Sequence, residues 1–78
     1  PIKVIIDGYE VLVGKNNKQN DFLTLKYAHS NDLWFHVKDV HGSHVVLKTN
    51  SEEIPQETIN KCASLCAFYS KVQYFQYN

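Results

Sequence analysis

Seventy-eight residues suffice for one small domain and little more; at this size a folded chain buries only about 60% of the surface its unfolded form exposes. A hydrophobic fraction of 44% and a charged fraction of 21% are ordinary globular values and argue against disorder. Eight lysines balance eight acids and there is no arginine, which argues against a strongly charge-driven grip on phosphate backbones but leaves local basic clusters open.

No apolar run approaches the roughly 20 residues that span a bilayer, so no membrane partner is expected. The opening PIKVIID lacks a basic stretch followed by an apolar one, and no secretory signal is expected. Starting at Pro1 with no methionine points to a piece of a longer polypeptide. Cys62 and Cys66 are too few for a disulfide framework, and a reducing, cytoplasmic setting follows.

In chain order, IKVIIDGYEVLVG alternates around Asp7-Gly8, the dipeptide that two-residue hairpin turns favour, and predicts a β-hairpin. KNNKQND reads as a polar loop, with Asn20 as helix N-cap and Asp21 in the first turn. Phe22, Leu25 and Ala28, flanked by Leu23 and Tyr27, predict a short helix ending near Ser30-Asn31. Two strands follow, residues 33–38 and 44–48, with Gly42 in their connection. Pro55 suits the first turn of a second helix, whose stripe would be Ile59, Cys62, Ala63, Cys66 and Ala67. The alternating, aromatic tail KVQYFQYN reads as a last strand. The expected fold is α+β, a mainly antiparallel sheet in ββαββαβ order with two helices packed on one face. One domain would span residues 1–78.

Burial selects the register of the central hairpin. A four-residue loop would place His44 and Lys48 on the face of Phe35, where a small core could not hold them. A five-residue loop ending at Ser43 pairs Lys38 with His44, His36 with Val46 and Trp34 with Lys48. Leu33, Phe35, Val37, Val45 and Leu47 then share the buried face, because a one-residue slip would flip every side chain. Trp34, His36, Lys38, His44 and Lys48 share the other face, a platform on which bases could stack and phosphates meet cations.

Other chemistries fit less well. His36 and His44 with Asp39 or His41 match no standard zinc spacing, and no metal or other cofactor is expected. Cys62 and Cys66 read as small apolar residues on a packed helix face. Ser43 beside His44 forms no triad, and a His36 base oriented by Asp32 or Asp39 has a bland counterpart, a histidine bonded across the sheet. Trp34 reads equally as an anchor under a helix or as an exposed stacking ring. Lys15 and Lys18 read either as solvated turn residues or as part of an anion site.

Three motifs stand in order along the chain: GKNNKQND at residues 14–21, DLWFHV at 32–37 and GSHV at 42–45. With them, residues 8–71 resemble the NFACT-R domain of the NFACT proteins, the family called RqcH in bacteria and NEMF in animals. Some bacterial members are labelled fibronectin-binding proteins. The resemblance implies a non-enzymatic RNA-binding module of a ribosome-associated quality-control factor. Its partners would be tRNA and the RNA of stalled large ribosomal subunits, and its parent would support template-free alanine tailing of nascent chains. Matching the motifs onto this chain makes Trp34, His36, Lys38 and His44 the first RNA-binding candidates, and Lys15, Asn16, Asn17 and Asn20 the next. The chain departs from the pattern at His41, where proline is common, and at Lys15, where arginine would bind phosphate bidentately. The family also continues past Lys71 through a further basic hairpin, so C-terminal strands are expected to be missing. Partners would include other domains of the parent protein. The alternative reading is a protein-interaction module, with fibronectin as its partner.

Overall fold

A computed structural model describes residues 1–38 and 41–76. Strands β1 (Ile2–Ile6) and β2 (Tyr9–Val13) form the expected hairpin. Asp7 and Gly8 both take positive φ, 52° and 88°, and Ile6 pairs with Tyr9 across them, which is the backbone that Asp-Gly admits most cheaply.

Helix α1 (Asn17–Phe22) begins earlier than the sequence suggests. Asn16, not Asn20, is its cap. Extended at φ −158°, Asn16 accepts the Gln19 N–H on its side chain, while Gln19 Oε1 accepts the Lys15 N–H, both at 2.9 Å. This is a reciprocal cap in the manner of a capping box, shifted by one residue. The helix continues as a π-helical turn, Leu23–Tyr27, closed by the Ala28 N–H on the Leu23 carbonyl.

Strands β3 (Leu33–Phe35) and β4 (Val45–Leu47) complete an antiparallel sheet in the order β1-β2-β4-β3. Leu33 pairs with Leu47, Trp34 with Val46 and Phe35 with Val45. The expected register is therefore displaced by two residues and the strands are shorter. Because the displacement is even, every side chain keeps its expected face.

Two expectations are corrected. The helices do not share one face. Val11, Val13, Val45 and Leu47 pack with Cys62 and Cys66 of α2 (Gln56–Gln76), whereas Leu12 and Val46 pack with Leu23, Tyr27 and Ala28. Strands alternate faces, so α1 and α2 cover opposite sides of the sheet. The physical reason lies in the runs VLV and VVL, which are apolar on both faces and need cover on both. The tail is also no strand, because α2 runs on to Gln76. No glycine or proline follows Pro55 to stop it. The last two residues of the tail lie outside the described residues.

The buried line of α2 is Thr58, Cys62, Cys66 and Ser70, a run of small side chains at i, i+4 spacing. Ala63 and Ala67, expected on that stripe, face outward. Asp7 bonds both Thr58 Oγ1 at 2.7 Å and Lys61 Nζ at 2.8 Å, tying the first turn to α2. Both cysteines are free and buried, and burial pushes their thiols up, as suits packing residues. No described helix is long and apolar enough to cross a membrane.

Candidate nucleic-acid interface

The three motifs meet in space at the segment that enters β4. Asn20 is 4% exposed. Its Nδ2 donates to the Gly42 carbonyl and its Oδ1 accepts the His44 N–H, each at 3.0 Å. The Gly14 N–H donates to the His44 carbonyl at 2.9 Å, and the Ser43 N–H donates to Ser70 Oγ at 3.0 Å. Residues 42–44 are thus held from α1 on one side and from α2 on the other, satisfying backbone groups that burial would otherwise orphan.

Two glycines make these approaches feasible. A Cβ at Gly14 would stand 2.1 Å from Asn20 Oδ1, and one at Gly42 would stand 2.5 Å from Ser70 Oγ. Their conservation of space, rather than special φ values, is what this geometry needs.

Beside this clamp lies a three-ring cluster. Trp34 stacks on His36 with centroids 5.6 Å apart and planes 9° apart. His44 stands edge-on to both, 5.3 Å from Trp34 and 4.7 Å from His36. Trp34 is 52% exposed, so the indole is a surface ring and not an anchor beneath a helix. His36 and Lys38 are exposed as well. His44 is half-buried; burial, then the neighbouring His36, holds its imidazole below the ordinary 6.5. A groove of about 320 Å3 runs beside β3, lined by Trp34, Phe35, His36, Val37, Ala63 and Cys66. Its size falls at the lower end of small-ligand pockets, and it follows an edge strand with one unpaired backbone side.

A second network fixes the start of the DLWFHV strand. Asp32 and Lys48 form an ion pair with only 5% and 14% of their side chains exposed. Asp32 also accepts the backbone N–H of His29 and Thr49. Burial alone would push its carboxyl up, but the Lys48 and backbone hydrogen bonds outweigh it and hold the carboxyl below the ordinary 3.8. Lys48 further donates to the Tyr27 carbonyl and lies 4.5 Å over the Tyr27 ring. The Tyr27 hydroxyl donates to Glu10 at 2.6 Å, and that bond, with burial, pushes it up to about 12.

The structure therefore sorts the sequence candidates. Trp34, His36 and His44 come together, and Lys38 follows β3 as an exposed residue. Lys15 and Asn17 are exposed, next to Gly14 and so to the His44 strand. Asn16 is exposed but spends its side chain on the helix cap. Asn20 is inward-facing and cannot present its amide to a ligand. Lys48, expected on the platform, is withdrawn into the Asp32 pair. Among the described residues no group of three or more His, Cys, Asp or Glu is placed to hold a metal ion. Sequence reasoning missed the clamp role of Ser70 and the Asp32–Lys48 pair. Both join residues more than 15 apart, so local pattern carries no signal for them.

A family model described as NFACT protein RNA binding domain matches residues 4–76. Rqc2 homolog RqcH of Bacillus subtilis is 46% identical over 66 residues, covering 85% of this chain and 11% of the relative. Coiled-coil domain-containing protein 25 of Bos taurus is 36% identical over 61 residues, 73% of this chain and 29% of the relative. Among solved structures, the C-terminal part of the fibronectin/fibrinogen-binding protein from Streptococcus suis superposes with a TM-score of 0.83 at 43% identity. That match covers 94% of this chain and 30% of the solved one. The chain thus spans about a tenth of the RqcH length and under a third of the other two.

Proposed function

The chain belongs to the NFACT protein RNA-binding domain family, and from that premise we propose that it is the RNA-recognition module of a cytoplasmic, ribosome-associated quality-control factor. In this reading the module contacts tRNA or large-subunit rRNA on stalled large subunits. It does no chemistry itself and supports alanine tailing by the parent protein. The observation that carries the reading is the half-exposed Trp34 ring flanked by His36 and His44. An indole open on the surface is a stacking platform for an unpaired base, a contact worth about 1–3 kcal/mol per base.

Charge balance supports stacking over phosphate neutralisation as the main source of affinity. With Lys15 and Lys38 as the nearby exposed cations, about two phosphates would be met. The logarithm of affinity should then fall against that of salt with a slope of about −1 to −2. Fluorescence anisotropy with a short single-stranded RNA across a salt series measures this directly. Affinity that does not change with salt would contradict the reading.

One observation favours a second reading. Phe22 and Leu25 are 46% and 78% exposed and, with Lys18, Asp21 and Lys26, line a shallow groove on α1. Such a patch suits a protein partner, and the Streptococcus suis neighbour is named a fibronectin/fibrinogen-binding protein. Binding of immobilised fibronectin that Leu25→Asp abolishes and Trp34→Ala leaves intact would favour this reading over the first.

A further inference from the structure

A chain whose charges sum to zero can still be charged at its two ends, and the sheet register divides this one. Val11 and Leu33 both pair with Leu47, so Glu10, Asp32 and Lys48 lie at the end of the sheet that carries the Asp7-Gly8 turn. The Tyr9 hydroxyl brings Glu52 to that end, and the first turn of α2 brings Glu57. Three lysines are spent on these acids: Lys3 pairs with Glu10, Lys48 with Asp32, and Lys61 with both Asp7 and Glu57. The opposite end is the segment entering β4, and three other lysines flank it. Gly14 bonds to His44 and is followed by Lys15, while Ser70 bonds to Ser43 and is followed by Lys71. The Cys66 thiol donates to the Ser43 carbonyl at 3.4 Å and lies against the Val37 backbone, one residue before Lys38. All three lysines are exposed. Among the described residues none of them is joined to a carboxylate. Asp21 of α1 partly offsets them, acting on His44 from the same side.

We propose that this end of the sheet is a phosphate track on which Lys71 is a third cation beside Lys15 and Lys38. An RNA strand stacked on Trp34 then crosses the end of the sheet from the α1 layer to the α2 layer. The proposal rests on the RNA-binding function above and adds a residue and a path to it. Trp34 shares the face of Val46, the α1 side, whereas Lys71 belongs to α2. Lys71 is therefore reached only by a strand long enough to pass over the sheet end. An ammonium group without a carboxylate partner meets phosphate by releasing counterions from the RNA; Lys48 and Lys61 would first have to give up an acid. The acidic end repels the same strand and so fixes which end of the molecule faces it. An acidic peptide is the other polyanion that such an end could take. It brings no base to the exposed indole, and RNA is the ligand that uses both features.

Quenching of Trp34, the single tryptophan, measures binding of oligouridines of about three and about twelve nucleotides across a salt series. A trinucleotide has too few phosphates for three cations. Its logarithmic salt slope should be about −1.4, against about −2.1 for the longer strand. Equal slopes for the unaltered protein overturn the track. Lys71→Gln should bring the slope of the longer strand to that of the shorter one. An unchanged slope in this variant, with the trinucleotide still quenching Trp34, overturns the track and leaves the RNA reading standing. Lys26→Gln removes the same charge from the other end of the molecule, next to the Tyr27 that bonds Glu10, and should leave both slopes as they are. A fall as large as that of Lys71→Gln would make the effect one of net charge and overturn the track. Hexaglutamate that displaces the longer strand at equal concentration would assign these lysines to an acidic peptide and also overturn it. An unaltered protein that binds neither oligomer overturns the RNA reading itself. Unfolding midpoints identify a variant that has lost its fold, and the comparison of the two lengths needs no variant.

Discussion

Replacing Trp34 by alanine removes a half-exposed ring from the edge strand and leaves both cores intact. RNA affinity should fall by about 1–3 kcal/mol, while the chemical unfolding midpoint moves by no more than about 0.5 kcal/mol equivalent. Asn20 should behave the other way round. Asn20→Ala orphans the Gly42 carbonyl and the His44 N–H together, at a cost of about 2–4 kcal/mol in denaturant unfolding. Gly14→Ala should also destabilise, because its Cβ meets Asn20 Oδ1. In an Asn20→Ala background the penalty should shrink, and a double-mutant cycle reads that coupling. From the sequence alone, Trp34 and Asn20 look like equal members of an RNA-facing set. Only the contacts of Asn20 with residues 22 and 24 positions away separate them.

At the scale of elements, the Asp32–Lys48 pair sets how β3 begins. Lys48→Met leaves Asp32 nearly buried with only backbone partners and should cost about 3 kcal/mol, the low end for a broken buried pair. For a 78-residue domain, whose whole stability is about 4–12 kcal/mol, that is a large share. Acid should weaken the fold in two steps. His44 is held below 6.5, so the stability linked to its neutral form is full above 6.5 and is lost as pH falls through the lower folded value. Asp32 is held below 3.8, so its share is full above 3.8 and is lost as pH falls through its own folded value. A pH series of urea midpoints should show both steps, and Asp32→Asn should remove the lower one. The first hairpin, the helix after Pro55 with Cys62 and Cys66 on its buried side, and the two faces of the β3–β4 hairpin were legible because period-2 and period-3.6 patterns encode them locally; Thr58 and Ser70 were not, because polar side chains carry no such signal. The loop length between β3 and β4 was not. Face parity tolerates a shift of two, and the choice between registers rests on long-range bonds from Asn20 and Ser70. The strand expected after Lys71 failed for a different reason: alternation in a short aromatic tail also fits a helix already in progress.

The whole molecule is a four-stranded antiparallel sheet between α1 and α2, and that arrangement leaves the β3 edge open with its rings outward. On the proposed reading a neutral chain concentrates its RNA affinity there, so Lys38→Ala should lower the salt slope by about one without abolishing binding. The central claim, that RNA meets the Trp34–His36–His44 face, is tested most directly by two-dimensional NMR during titration with a short single-stranded RNA. The account predicts that the largest shifts fall on the Trp34 indole N–H, His36, Lys38 and His44, with the exposed Phe22 and Leu25 of the α1 segment unmoved. Shifts centred on Phe22, Leu25 and Lys26, with the Trp34 indole unchanged, would contradict it.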